Sequence, residues 1–203
     1  AINGQTKIEC FNDWVKEIKD YNYLHNHVRM WFASIWIFTL GLPWQKGAEF
    51  FMKYLLDGDA ASNTLSWRWV GGLQTKGKHY LAQSWNISKF LNKKYQNIEL
   101  RENAPSLVDS REYKISPIEV PKKNSKNEYL IVFENDLSIE SLKIKDYKKI
   151  YFILLDNKSR LLKLDSKVLS YKKNIIKDQI NKIDSSSILI NENEIEELLE
   201  SLK

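Results

Sequence analysis

The sequence predicts a mainly α-helical bundle followed by a small α/β module built on a three-stranded parallel sheet. Three observations carry that expectation. Apolar residues recur at three- and four-residue spacing through the first half, as on one face of a helix. All seven Trp and all seven Gly of the 203 residues lie before residue 86. The second half instead holds short, continuous apolar runs of the buried-strand type, separated by helical patterns.

Phe11, Trp14, Val15, Ile18 and Tyr21 mark the first helix. A second is expected from about Asn26 to Leu40, nearly apolar all round after Arg29 and therefore central. Gly41-Leu42-Pro43 stops it. A third runs from Trp44 to Leu56, with Phe50, Phe51, Tyr54 and Leu55 facing inward. Asp57-Gly58-Asp59 breaks the chain before a short helix through Trp67 and Trp69. Pro105, Pro117 and Pro121 then punctuate a polar stretch ending in Lys122-Lys123-Asn124-Ser125-Lys126, which reads as a linker or as an arm laid over the first region. The expected division is a helical domain over 1–100, a linker over 101–126 and an α/β module over 127–203, with the boundary near residue 125.

In the module, Tyr129 to Phe133, Lys149 to Leu155 and Ser187 to Ile190 are the expected strands. Helical patterns lie between them, notably Ser166 to Ile183, and Glu194 to Leu202 closes the chain. Strand alternating with helix implies parallel pairing through right-handed crossovers. This region has no glycine and so cannot carry a Gly-rich phosphate loop. A structural or partner-binding role is the expectation for it.

A formal charge of +5 and a pI near 9.0 fit a polyanionic partner, although lysine-rich, AT-biased coding would give the same excess. The single cysteine, Cys10, excludes an intrachain disulfide and any Cys-based zinc or iron–sulfur site within this chain, and makes a reducing, cytoplasmic setting the default. The longest apolar stretch, Met30 to Pro43, is too short and too interrupted for a membrane span. No charged-then-apolar leader opens the chain, and a first residue Ala1 fits a start inside a longer protein.

Three stretches are more specific: His25-Asn-His-Val-Arg-Met30, then Trp44, then Asp57-Gly-Asp-Ala-Ala-Ser-Asn63 running on to Ser66-Trp-Arg-Trp69. Their order and spacing resemble the flavin-binding domain of the photolyase/cryptochrome family, in which a His-Asn-Arg-x-Arg-Met helix precedes Trp, then Asp-Gly-Asp, then Asn and Trp-x-Trp. The match covers about residues 4–90 and is ungapped from Asn26 to Trp69. It implies a partial FAD-binding helical domain, with FAD as cofactor and damaged DNA as partner.

An isoalloxazine ring needs polar groups at N3, O4 and N5, where its hydrogen-bonding capacity and redox-linked charge lie. Arg29 and Asp57 can form a charge-assisted pair beside the ring, stabilising a reduced, anionic flavin. The resemblance implies further roles. Asp59 accepts from the N3 edge, Asn63 faces N5, where an amide favours a reduced flavin, and Asn26 contacts both cofactor and substrate. Trp67 is the ring nearest the flavin and Trp44 the next, as inner steps of an electron-hopping chain whose usual third member would precede Ala1. Met30 and Trp69 match positions lining the cavity for a flipped-out pyrimidine dimer, where base flipping needs an apolar, aromatic wall. His27 stands in place of the more usual arginine and implies a weaker phosphate contact.

Taken singly, these residues have plainer readings. An Arg–Asp pair is often structural, Asp-Gly-Asp is a common turn or helix N-cap, and His25 and His27 fit surface or packing roles. Trp31 and Trp36 read as core. Past Trp69 the family's Gly-Thr-Gly and Phe-Asn-Pro runs give way to Gly71 to Lys78, His79-Tyr-Leu and Trp85-Asn-Ile, which marks a divergent branch and leaves lesion specificity open.

The function implied is light-driven DNA repair, in which reduced FAD passes an electron to a cyclobutane dimer and no side-chain nucleophile or metal is required. The alternative is a cryptochrome-like blue-light photoreceptor without repair activity. Asn63 and the positive charge favour repair, whereas the altered segment after Trp69 and the added α/β module favour signalling. A flavin-free structural remnant is the third reading. In the family the FAD phosphates and adenine are held by helices upstream of the matched segment, and the antenna domain also lies upstream. The chain is therefore expected to carry the flavin-ring half of the site, with an N-terminal segment or a second chain completing it.

Overall fold

The computed structural model describes residues 1–95, 97–119, 128–139, 142–183 and 187–202, in two compact units, Ala1–Arg111 and Glu112–Lys203. The basic run from Lys122 to Lys126 and the expected boundary near residue 125 lie outside the described residues.

In the first unit, α1 (Glu9–Tyr21) buries Cys10, Phe11, Trp14, Val15 and Ile18, the stripe that its spacing requires, while Tyr21 turns out to solvent. Burial pushes the Cys10 thiol up to about 12, so it stays protonated. Asn22 ends the helix in the left-handed region at φ 57°, a conformation that Asn tolerates better than most residues. Its side chain donates to the Tyr54 carbonyl at 2.7 Å, and its own carbonyl accepts from Leu56 N at 3.0 Å. The end of α1 is thereby tied to the chain at residues 54–56.

The expected long second helix is present but changes pitch. α2 (Asn26–Ser34) passes into a π-helical turn, Ile35–Thr39, closed by Leu40 N donating to Ile35 O at 2.8 Å. Four consecutive large residues, Ile35 to Phe38, are all buried there, and the Trp36 indole donates to Pro43 O at 2.9 Å. α3 (Trp44–Tyr54) and α4 (Ala60–Gly71) then pack closely. A Cβ at Gly47 would lie 2.1 Å from an atom of the Trp67 ring, so only glycine permits this approach. Beside it, Asn63 Nδ2 donates to the Ala48 carbonyl at 2.9 Å.

A fifth helix, α5 (Ser84–Phe90), was not expected from the sequence. Its single buried anchor, Ile87, gives too little periodicity to reveal it, and Asn86 fastens it by accepting from Trp31 Nε1 at 3.1 Å. Among the described residues, the chain beyond it within this unit has no helix or strand. Arg101 N donates to Thr39 Oγ1 at 3.2 Å, Leu107 N to Gly71 O at 2.9 Å, and Arg68 pairs with Asp109 at 3.3 Å.

In the second unit, β1 (Tyr129–Phe133), β2 (Lys149–Leu154) and β3 (Ser187–Asn191) form a parallel sheet in the order β1-β2-β3. α6 (Ser166–Lys182) links β2 to β3, and α7 (Ile195–Ser201) follows β3. The link from β1 to β2 departs from the expected helix. Among its described residues only a 3-10 turn, Ile144–Asp146, is regular, because Leu137, Ile139, Ile144 and Tyr147 reach the core from a short path. That core joins them to Val132, Ile150, Phe152 and Ile176.

Just past β1, buried Glu134 accepts from Arg160 Nη2 at 2.6 Å and from Leu155 N at 3.3 Å, with Lys172 Nζ at 3.4 Å. Removing this carboxylate would strand two largely buried cations. Glu134→Ala should therefore destabilise the second unit by about 3–5 kcal/mol, the usual loss on breaking a buried pair. Urea unfolding followed by far-UV dichroism measures it.

For the first unit, Gly47→Ala must push the Trp67 ring off α3. A loss of about 1–3 kcal/mol is expected, as for other overpacked cores. An unchanged melting temperature would show that the seam has slack.

Candidate functional site

A cavity of about 510 Å³ opens between α2, the turn at residues 55–59 and α4. Cavities of roughly 300–1,000 Å³ hold ligands of drug size. Eight of the ten site residues expected from the sequence line it: Asn26, Arg29, Met30, Asp57, Asp59, Asn63, Trp67 and Trp69.

Arg29 is held from two sides. Nε donates to Leu24 O at 2.8 Å, Nη1 to Asp57 Oδ2 at 3.0 Å, and the guanidinium lies 5.4 Å from the Tyr23 ring centroid. The pair is partly open, with 22% of the Arg29 and 57% of the Asp57 side chain exposed. An ion pair this accessible contributes at most about 1 kcal/mol to stability. What it fixes is the direction of a cation at the cavity wall.

Asp59 caps α4, its Oδ1 accepting from Ser62 N at 2.7 Å. The Ser62 N–H, then its hydroxyl, hold this carboxyl below the usual carboxylate range, so it is ionised at neutral pH. One turn on, the Asn63 amide has a determined orientation, because only its NH₂ can donate to the Ala48 carbonyl. Its Oδ1 is left as the acceptor.

Trp67 is 2% exposed and packs against Phe51 at 5.1 Å, Trp36 at 6.2 Å and Phe32 at 6.5 Å between ring centroids. Its Nε1 is shielded from solvent and has no hydrogen-bond partner among the described residues. Trp69 is 39% exposed and stacks on Tyr80 at 5.9 Å.

Two expected residues lie elsewhere. Trp44 lines a separate depression, with the Arg68 guanidinium 5.8 Å from its ring. His27 packs on Trp31 at 4.6 Å and on Phe90 at 5.5 Å, as an outer face of α2 rather than a cavity wall.

The lining also includes residues that the sequence reading did not select, among them Phe51, Leu55, Ser62, Ser66 and Gln74. Ser62 and Ser66 follow Asp59 at helical spacing, a signal that would have placed them on the same face. Gln74 comes from the stretch where the motif pattern stops.

The cavity suits a flat, redox-active ring. It combines an apolar floor, an oriented cation, a carboxylate and an amide acceptor. Those are the features of a cofactor-binding helical domain. The chain belongs to the family described as the FAD binding domain of DNA photolyase, which it matches over residues 3–151, and the family's cofactor is FAD.

Among curated relatives, the chain is 34% identical over 77 residues to the deoxyribodipyrimidine photo-lyase of Buchnera aphidicola, covering 38% of this chain and 16% of that protein. It is 39% identical over 73 residues to that of Streptomyces griseus, covering 36% and 16%. To that of Thermus thermophilus it is 35% identical over 77 residues, covering 38% and 18%. Each similarity thus spans less than a fifth of the relative's length. No solved structure matches the chain. Among the described residues, no helix is long and apolar enough to cross a membrane.

Arg29→Leu should weaken flavin binding at least about tenfold while costing no more than about 1 kcal/mol of stability, as expected of an accessible pair. Arg29→Lys should restore little, because an ammonium cannot reproduce the Nε and Nη1 bonds together. Quenching of flavin fluorescence on titration with FAD reads the first effect, and thermal unfolding the second. Equal affinity in Arg29→Leu would remove the pair from the flavin site.

Proposed function

We propose that the chain is part of a light-dependent DNA-repair protein of the photolyase type, with damaged DNA as its substrate. The observation that carries this reading is the meeting, in one cavity, of an oriented Arg29–Asp57 pair, the Asn63 amide, and the apolar wall of Trp69 and Met30. When bound, FAD would supply the light-driven electron-donating chemistry that opening a pyrimidine dimer needs, and Arg29, Asp57, Asp59 and Asn63 would hold its ring.

The side chains then divide the work. Arg29 offsets negative charge on the ring, and Asp57 keeps the guanidinium aimed. Asp59 would hold the N3 edge while still capping its helix. Asn63 would offer Oδ1 as an acceptor to the ring, since its NH₂ is committed to Ala48. Asn26 lines the cavity close to Arg29 and can serve both ring and base. Trp69 and Met30 receive the flipped-out base, with Tyr80 stacked behind Trp69 as a rigid support.

Trp67 is the inner relay ring, buried beside the cavity. Trp36, taken from the sequence as core, is both buried and the tryptophan in edge contact with it. Trp44, on α3, remains an outer step. Because the similarity spans so little of the relatives, we read this chain as supplying the flavin-ring half of the site, completed by a further segment or a second chain. A cytoplasmic setting fits the single, protonated Cys10.

The test uses the protein with its FAD site complete, reduced and under blue light, on oligonucleotides containing a cyclobutane dimer. Dimers should split. Trp69→Ala should weaken lesion binding by about 1–3 kcal/mol, the worth of one stacking aromatic, with flavin content unchanged. Asn63→Asp should shift the flavin's redox preference, since a carboxylate repels negative charge at N5 and can supply a proton. Flavin that binds and photoreduces without any dimer splitting would replace repair with the blue-light photoreceptor reading.

A further inference from the structure

The sheet of the second unit is apolar on both faces but covered on only one of them throughout. Leu130 and Val132 of β1 join Ile150 and Phe152 of β2 in the core that α6 closes with Ile176 and Ile180. On the opposite face, strand register sets Ile131, Tyr151 and Ile188 in one row and Phe133, Ile153 and Ile190 in the next. A parallel sheet ordinarily has both faces covered. Tyr151 and Ile153 are buried accordingly, at 7% and 2% exposed, but on β1 Tyr129 is 40% and Phe133 51% exposed. The cover stops at β2 and leaves β1 open.

β1 is also an edge. The strand order is β1-β2-β3, so among the described residues no strand lies beside the outer side of its backbone. Natural edge strands are blunted by charge, proline or a bulge. Tyr129-Leu-Ile-Val-Phe133 has none of these, and its register with β2 is unbroken from Tyr129–Lys149 to Phe133–Ile153. Tyr129 stands at one end of the open face, its ring 6.1 Å from that of Tyr151, with Phe133 at the other end and Ile131 midway. Charge is divided along the same direction. Lys149 Nζ lies 5.4 Å from the Tyr151 ring at the Tyr129 end, where Lys148 also engages Glu128 at 2.8 Å. Asp136 is exposed just past the Phe133 end.

We propose that β1 pairs antiparallel with β1 of a second copy of this chain, across a two-fold axis at Ile131, so that the two sheets become one. The antiparallel order sets Tyr129 of each copy opposite Phe133 of the other. That gives two cross-strand aromatic pairs, among the contacts that most stabilise neighbouring strands. It also places the cationic end of one strand beside the acidic end of the other. The two-fold closes the assembly at two copies, whereas β1 added head to tail on β3 would grow without closing. A strand from a different protein would need an aromatic at each end in this same register, and this chain already carries that complement. The association concerns the second unit alone and needs neither flavin nor DNA.

Sedimentation equilibrium of the whole chain, from low to high micromolar concentration, tests this. The mass should pass reversibly from 24.0 kDa toward twice that value. Tyr129 and Phe133 are exposed, so their variants should melt like the parent. Tyr129→Lys and Phe133→Lys should each raise the dimer dissociation constant at least about tenfold, because the two-fold makes every change alter two cross-strand pairs. The Tyr129→Lys, Phe133→Lys double variant should stay monomeric, since each new ammonium faces another. The Tyr129→Lys, Phe133→Glu double variant should pair again, because each new ammonium then faces a carboxylate of the other copy. That rescue reads the register, which a general loss of apolar surface could not restore. A monomer at every concentration, or a mass that keeps climbing past two copies, would overturn the proposal. So would a dimer that the doubly cationic variant leaves intact, or a charge-paired variant no better than the doubly cationic one.

Discussion

At the crossing of α3 and α4, Gly47 leaves room for the edge of the Trp67 ring where any other residue would place a carbon 2.1 Å from it. The cavity depends on that contact. It lets the two helices approach until the Asn63 amide reaches the Ala48 carbonyl, which sets the orientation of that amide at the cavity wall. It also seats Trp67 among Phe32, Trp36 and Phe51, so that the cavity's deepest aromatic residue is part of the core. A native interior is packed as densely as an organic crystal, and a ring in such a place cannot drift. Precision at the cavity wall is therefore inherited from the core behind it.

The opposite wall is built from polar ties rather than close packing. Asn22 fastens the end of α1 to Tyr54 and Leu56, and this brings Asp57 to Arg29. Arg29 is anchored in turn by the Leu24 carbonyl. Several of these groups serve the fold and still present an atom to the cavity: Asp59 caps α4, and Asn63 bonds α3. Structural and cofactor readings of Asp-Gly-Asp are thus compatible, since a carboxylate or amide has more than one hydrogen-bonding atom.

The second unit follows different rules. Its sheet packs aliphatic residues of β1 and β2 against α6 and against a connection that is mostly irregular. Its buried charges are concentrated just beyond β1 and β2, where Glu134 meets Arg160 and Lys172. Such a cluster sets which partners must come together more than it adds stability, because desolvation offsets much of the attraction.

The sequence by itself determined α1, α3, α4 and the three strands, because each has a strong apolar period or a continuous apolar run bounded by breakers. It also determined the family, since several uncommon residues stand in register from Asn26 to Trp69. It did not reveal α5, whose one buried residue leaves no period to read, nor the π turn at Ile35–Thr39, which an apolar run of any helical pitch would satisfy. Motif order gave His27 a phosphate contact and Trp44 an outer electron-transfer step, and it could not say that His27 would pack on Phe90 or that Trp44 would sit in a depression apart from the cavity, beside Arg68. Residue spacing records which side chains share a face of one helix. Which faces of different helices meet is decided by packing between them, and only the tertiary structure holds that information.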